Sequence, residues 1–235
     1  MRLWGILFLI TLWSHAASSE EVRVAVSSNF LTTAEKIAEA FERATGHEVI
    51  LSNGSTGLLF AQISAGAPFD VFLSADAERP RRLLADGRAL ETRAYAIGAV
   101  ALLSTEPVSA ETAQQHFADK TVALADPTVA PYGRAATRAM EALSLDTATF
   151  RPVMVSNVAQ VASVFATGNA DLAFVAVAQL AQLDAPHVLP LDGIAPPIRQ
   201  EAALLVDAPA PRAFWEWLQR DDTAALIVAE GYETP

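Results

Sequence analysis

The spacing of hydrophobic positions changes repeatedly along this chain, and each change predicts an element. Glu21 to Val26 alternates weakly between polar and apolar residues and predicts a strand. From Ala34 the apolar positions fall at Ala34, Ile37, Ala38 and Phe41, while Glu35, Lys36, Glu39 and Arg43 take the wet side. That is one apolar stripe on a helix, and Gly46 stops it. His47 to Leu51 predicts a second strand, which runs into Ser52-Asn53-Gly54-Ser55-Thr56-Gly57 before helical spacing resumes at Leu58, Leu59, Ala61, Gln62 and Ile63. Phe69 to Leu73 then predicts a short strand, and Ala77 to Leu84 a short helix closed by Asp86-Gly87.

A β-α-β-α-β rhythm of this kind implies a parallel, doubly wound sheet. Tyr95 to Ser104 (YAIGAVALLS) is a long apolar strand with no matching helix face, which we read as a crossing into a second domain. A second set follows there. Strands are expected at 122–125, 152–155 and 171–175, helices at 134–143 and 157–166, and Asp126 to Gly133 as a loop. A Pro-rich stretch from Pro186 to Pro197 leads to Glu201–Val206, a strand that returns the chain to the first domain, and helices at 211–218 and 222–230 end it. The expected architecture is α/β with two lobes, each a doubly wound, mostly parallel sheet flanked by helices: 20–96 with 197–235 as lobe I, and 97–196 as lobe II. Ligands of such sheets bind beyond the carboxyl ends of the strands, so each lobe would offer that edge to a shared cleft. A single enzyme domain with the same layers is the alternative that periodicity leaves open.

The first residues alter the picture by fixing a compartment. Arg2, an apolar run from Leu3 to Trp13 and the small residues Ala16-Ala17-Ser18 have the layout of a secretory signal peptide over 1–19. An exported chain with no cysteine has no disulfides, so packed cores must stabilise it, and 52% hydrophobic composition permits that. Asp and Glu number 27 against 16 Lys and Arg, a net charge of -11, which argues against nucleic acid and anionic lipid as partners. The same field repels small anions. An anion site on this chain has to work through locally aimed N–H and O–H dipoles.

Signals for catalysis are thin. There is no cysteine nucleophile or thiolate ligand, no G-x-S-x-G elbow, no P-loop and no G-x-G-x-x-G. His15, His47, His116 and His187 are not spaced as a metal pair, and Asp70 and Asp76 read as turn caps more readily than as an acid–base pair. What stands out instead is four places where a strand or loop hands over to a helix through small, uncharged hydrogen-bonding residues. These are Ser27-Ser28-Asn29, Gly54-Ser55-Thr56-Gly57, the loop Asp126–Gly133 with Tyr132 just before a helix, and Ser156-Asn157-Val158. Each alone could be plain capping. Two in each lobe, all at helix N-termini with free N–H groups, point to an oxyanion seat.

With those residues in view, the chain resembles the periplasmic molybdate-binding proteins that serve ABC-type importers. The resemblance is carried by AVSSNF from Ala25, the long segment GSTGLLFAQISAGAPFDVFLSAD from Gly54 to Asp76, DPTVAPYG from Asp126 and GNADLAFVA from Gly168 to Ala176. It implies the two-lobed type II solute-binding fold and no catalytic role. It also implies no cofactor, and molybdate or tungstate as ligand, the metal being held only as an oxyanion. The implied partners are an importer's membrane permease with its cytoplasmic ATPase, met in the periplasm by a monomer. Matched residue by residue, it puts Ser28 and Asn29, Ser55, Tyr132 and Val158 at the ligand. One branch of the family supplies a tyrosine at the position of Ala176, which here can donate nothing, and Tyr132 is expected to stand in for it. That substitution keeps a receptor for sulfate, a phosphorus oxyanion or another small anion as the alternative reading, with a secreted hydrolase using Asp70 or Asp76 a distant third.

Overall fold

A computed structural model describes residues 19–184 and 186–235; the expected signal peptide, apart from Ser19, lies outside them. The first six strands and helices and their connections follow the hydrophobic pattern closely. Strand β1 (Glu21–Ser27) passes through a 3-10 turn (Ser28–Phe30) into α1 (Leu31–Thr45), followed by β2 (Glu48–Gly54), α2 (Thr56–Ser64), β3 (Val71–Ser74) and α3 (Glu78–Ala85). Gly46 ends α1 in the left-handed region at φ 77°, where its N–H bonds the Glu42 carbonyl.

The expected long crossing strand is two strands. β4 (Glu91–Gly98) and β5 (Val100–Ser104) are separated at Ala99 and belong to different sheets. The apolar run is continuous because no position from Tyr95 to Ser104 is exposed, although the first half of β4 is not buried. The rest of the chain gives α4 (Ala113–Phe117), β6 (Thr121–Ala125), α5 (Pro131–Ala142), β7 (Arg151–Val155), α6 (Val158–Ala166), β8 (Leu172–Ala176), β9 (His187–Pro190), β10 (Ile198–Leu204), α7 (Pro209–Trp217) and α8 (Asp221–Ala229). α4 and β9 have no counterpart in the periodicity, and β9 lies inside the Pro-rich stretch. It is an edge strand whose only partner among the described residues is β5, a place where proline is tolerated. The loop expected over Asp126–Gly133 stops at Ala130, since Pro131 occupies the first turn of α5, where its fixed φ and missing N–H cost nothing.

The two sheets share one plan. Their orders are β2-β1-β3-β10-β4 and β7-β6-β8-β5-β9. In the first, β1, β2 and β3 are parallel and β10 runs against both its neighbours; in the second, β6, β7 and β8 are parallel and β5 runs against both of its own. Each is therefore mostly parallel, with one reversed strand in fourth place. Helices cover the faces, and the cores rest on buried aromatics. Phe30, Phe41 and Phe214 lie in the first, Phe117 and Phe174 in the second, each fully buried ring contributing about 1.5–3 kcal/mol.

Candidate anion-binding site

All four junctions open onto one small cavity between the sheets. Ser28, Asn29, Ser55, Tyr132 and Val158 line it together, with Ser27, Gly54, Thr56, Ala75, Ala130, Pro131 and Asn157. No lining side chain carries a charge. The positive character comes from the N-terminal ends of α2, α5, α6 and the turn before α1, whose first N–H groups have no intrahelical acceptor. Among the described residues no cluster of three or more His, Asp or Glu side chains could hold a metal ion.

Each junction has its own local logic. Ser27 Oγ lies 2.7 Å from Thr56 Oγ1 and accepts from Ala75 N–H at 3.0 Å, so it locks the first junction to the second. Ser28 Oγ has no hydrogen-bond partner among the described residues, which leaves it available to the cavity. Ser55 occupies the N-cap position of α2 but makes no cap bond; its hydroxyl donates to the Val129 carbonyl across the cleft at 2.7 Å. Gly57 N–H donates to the same carbonyl at 2.8 Å, and a Cβ on Gly57 would sit 2.9 Å from the Val129 backbone. Only glycine permits that approach. At the fourth junction Asn157 is a true cap: its side chain accepts from Gln160 N–H, and Gln160 Oε1 accepts in return from Ser156 N–H. Val158 begins α6 and offers its backbone N–H alone.

Tyr132 is buried in the first turn of α5 rather than perched on a loop. Its phenol meets Gln200 Nε2 at 3.4 Å. Gln200, fully buried, also takes Asn29 Nδ2 at 2.9 Å and Tyr95 Oη at 3.1 Å on its Oε1, and Asn29 Nδ2 reaches Tyr232 Oη at 3.2 Å. The chain has three tyrosines, and all three converge on this amide pair. Gln200, Tyr95 and Tyr232 were not singled out in the sequence. A usable signal did exist: Ile198 and Gln200 share one face of a strand whose intervening Arg199 is exposed, so Gln200 is an inward-facing polar residue.

Burial pushes the phenols of Tyr95 and Tyr132 well above their ordinary pKa, and that of Tyr232 up as well; the Gln200 and Asn29 amides beside Tyr132 act in the opposite direction. The sign follows directly. A phenol whose folded pKa exceeds its unfolded value contributes stability in full below about pH 10, and that stability is lost as pH rises above it. We expect alkaline unfolding to set in above about pH 10 and affinity for a non-titrating anion to stay flat below it. A titration of circular dichroism and binding between pH 7 and 11 checks both; a break in affinity near pH 8 would contradict them.

One rim of the cleft is held by ions. The Asp76 carboxylate accepts from Ser74 Oγ and Arg79 N–H, pairs with the Arg79 guanidinium and takes Arg134 Nη2 of α5 from the other side at 2.7 Å. Asp70 Oδ2 accepts from Arg23 N–H at 2.7 Å. Both carboxylates are thus engaged in structural bonds. His47 stacks on Phe41 and His116 Nδ1 meets its own helix carbonyl, so neither faces the cavity.

The chain matches the family of bacterial extracellular solute-binding proteins over residues 22–233. It is 37% identical over 230 residues to the molybdate-binding protein ModA of Azotobacter vinelandii, covering 92% of this chain and 91% of that one. With ModA of Rhodobacter capsulatus the identity is 35% over 234 residues, covering 93% and 90%. The solved structure of the Azotobacter vinelandii periplasmic molybdate-binding protein superposes with a TM-score of 0.80 at 36% identity, over 91% of this chain and 99% of that one. The fold, the shared cavity and these relatives agree: the chain belongs to the molybdate-binding branch of the bacterial extracellular solute-binding protein family.

Proposed function

We propose that this protein binds molybdate between its two sheets and presents it in the periplasm to an ABC importer, a membrane permease with its cytoplasmic ATPase. The reading rests above all on four uncharged helix-opening junctions facing one cavity, in a chain whose relatives are named as molybdate-binding proteins. Ser28, Ser55 and Tyr132 would donate through hydroxyls, Asn29 and Val158 through backbone N–H groups. A dianion taken out of water without a counter-ion needs that many donors, because each missing one leaves costly uncompensated charge. The division into 20–96 with 197–235 and 97–196 is supported by strand membership in the two sheets, except that β4 carries the first lobe on to Gly98. Export by the N-terminal segment, action as a monomer and absence of catalysis belong to the same reading.

Tungstate, with nearly the same metal–oxygen length, is proposed as a near-equal ligand, whereas sulfate is smaller and would be held loosely by donors spaced for the larger ion. Calorimetry with molybdate, tungstate, sulfate and phosphate tests this. Molybdate and tungstate are expected to bind much more tightly than the other two; tight sulfate binding with no molybdate heat would overturn the reading.

Ser55 supplies a sharper expectation. The side chains leave a cavity of about 10 Å³, room for about one water centre, and for Ser55 to donate to an anion there its one proton must leave the Val129 carbonyl. The hydroxyl then exchanges a neutral acceptor for a charged one. Ser55→Ala is expected to weaken molybdate binding by about 1–2 kcal/mol, the difference between a neutral and a charge-assisted hydrogen bond. Since Ser55 makes no cap bond, the helix itself should be unaffected. Titration and melting of the same variant check the pair of outcomes, and unchanged affinity would remove Ser55 from the site.

A further inference from the structure

The buried network behind Tyr132 contains two amides and three phenols, and its hydrogen directions can be worked out from its fixed ends. Tyr232 Oη donates to the Asn29 backbone carbonyl at 2.6 Å, and a carbonyl can only accept. Its single proton spent, Tyr232 Oη must accept at its other contact, so the atom of Asn29 facing it at 3.2 Å is the amide nitrogen. The same nitrogen faces Gln200, which must therefore turn its oxygen toward Asn29. Tyr95 has one proton to share between that oxygen and the Ser74 carbonyl, both at 3.1 Å. Only the Gln200 nitrogen is left for Tyr132, and an amide N–H cannot accept a proton. The Tyr132 hydroxyl is held as an acceptor on its inner side, and its one proton has no other partner among the described residues.

Two backbone features hold the amide there. The register between β10 and β4 shifts between Gln200 and Glu201, a bulge of the kind that re-aims a side chain beside a site. Opposite, Gly98 at the end of β4 leaves the space: a Cβ there would lie 2.7 Å from Gln200 Nε2 and overlap Tyr132 Oη. Its φ is not in the left-handed region, so the glycine is required by the two side chains and not by the backbone.

We infer that Gln200 is a positioning residue that fixes the direction of the Tyr132 O–H and so commits this phenol to donate into the cavity. The inference rests on the reading of Tyr132 as a ligand donor. It reverses the obvious account of Gln200 as a filler of the strand core: its nitrogen supplies no bond to the anion but removes the inward alternative for the proton that does.

A double-mutant cycle tests it, read by calorimetric titration of the full chain with sodium molybdate. Gln200→Glu keeps the oxygen that Asn29 and Tyr95 need and replaces the single donor facing Tyr132 by an acceptor. It should weaken binding by about tenfold or more, part through charge and part through capture of the phenol proton. In the Tyr132→Phe background only the charge effect survives, so the same change should cost at least about fivefold less. Gln200→Leu, which adds no charge, repeats the cycle should the carboxylate prevent folding; Asn29 and Tyr95 keep Tyr232 and the Ser74 carbonyl as partners. Its loss of about three- to tenfold should vanish in the Tyr132→Phe background. Equal losses in both backgrounds, for either substitution, overturn the positioning role. If Tyr132→Phe alone leaves the affinity unchanged, it is the reading of Tyr132 as ligand that fails, and the two failures are told apart by the single variant.

Discussion

Tyr132→Phe should weaken molybdate binding tenfold or more, at least about 1.4 kcal/mol, while the melting temperature of the protein moves little. The change removes one oxygen from a ring that otherwise packs in the second core beside Val100, Ala176 and Ile198. Its stability cost is small because the lost contact, Gln200 Nε2 at 3.4 Å, is a long one. Its binding cost is large because the phenol is the donor that would meet a charged oxygen in a water-poor cavity. Ala176 is fully buried and brings no polar group, so no side chain at that position can compensate. Affinity equal to that of the parent would show that the phenol is not a ligand and that Ser28, Ser55 and backbone N–H groups suffice.

The second large effect falls on stability. Asp76→Ala removes a carboxylate with 11% of its side chain exposed and leaves Arg79, 13% exposed, and Arg134 facing each other without an anion. Breaking one partner of a buried pair typically costs about 3–5 kcal/mol; with Arg134 38% exposed and able to reach water, about 2–4 kcal/mol is expected. Arg134→Gln is the comparison. It loses only the half-exposed pair across the cleft and should cost less than about 1 kcal/mol. Urea unfolding of the three proteins reads the difference, and a loss below about 0.5 kcal/mol for Asp76→Ala would mean that solvent screens the cluster.

How far the chain could be read without its structure depended on whether a feature was local. The junctions at Ser28, Ser55 and Val158 were legible because capping, glycine and helix onset are written within four or five consecutive residues. The split at Ala99 was not: a run from Tyr95 to Ser104 with no exposed position leaves no polar residue to mark where one strand ends, although Gly98 was an available hint. Tyr132 was expected on a loop and lies in the first turn of a helix, since Pro131 was read as loop chemistry and is the first residue of α5. Gln200, Tyr95 and Tyr232 were missed for a different reason. They lie 171, 66 and 203 residues from Asn29, and a polar network closed over such separations has no signature in neighbouring residues. The same holds for Gly57, whose missing side chain admits the Val129 backbone from the opposite lobe.

The placement of β10 has a consequence for the order in which this protein can fold. β10 lies between β3 and β4 and, among the described residues, is the only strand that joins them, so β4 has no neighbour in its sheet until residues 198–204 exist. All five strands of the second sheet fall within 100–190 and can pair before that. A chain emerging from its N-terminus can therefore complete its second sheet first, and would hold β1, β2 and β3 as an incomplete sheet with an open edge until the return strand arrives. That waiting edge, flanked by the apolar faces of Val71 and Leu73, is where nascent copies of this protein are most exposed to pairing with one another.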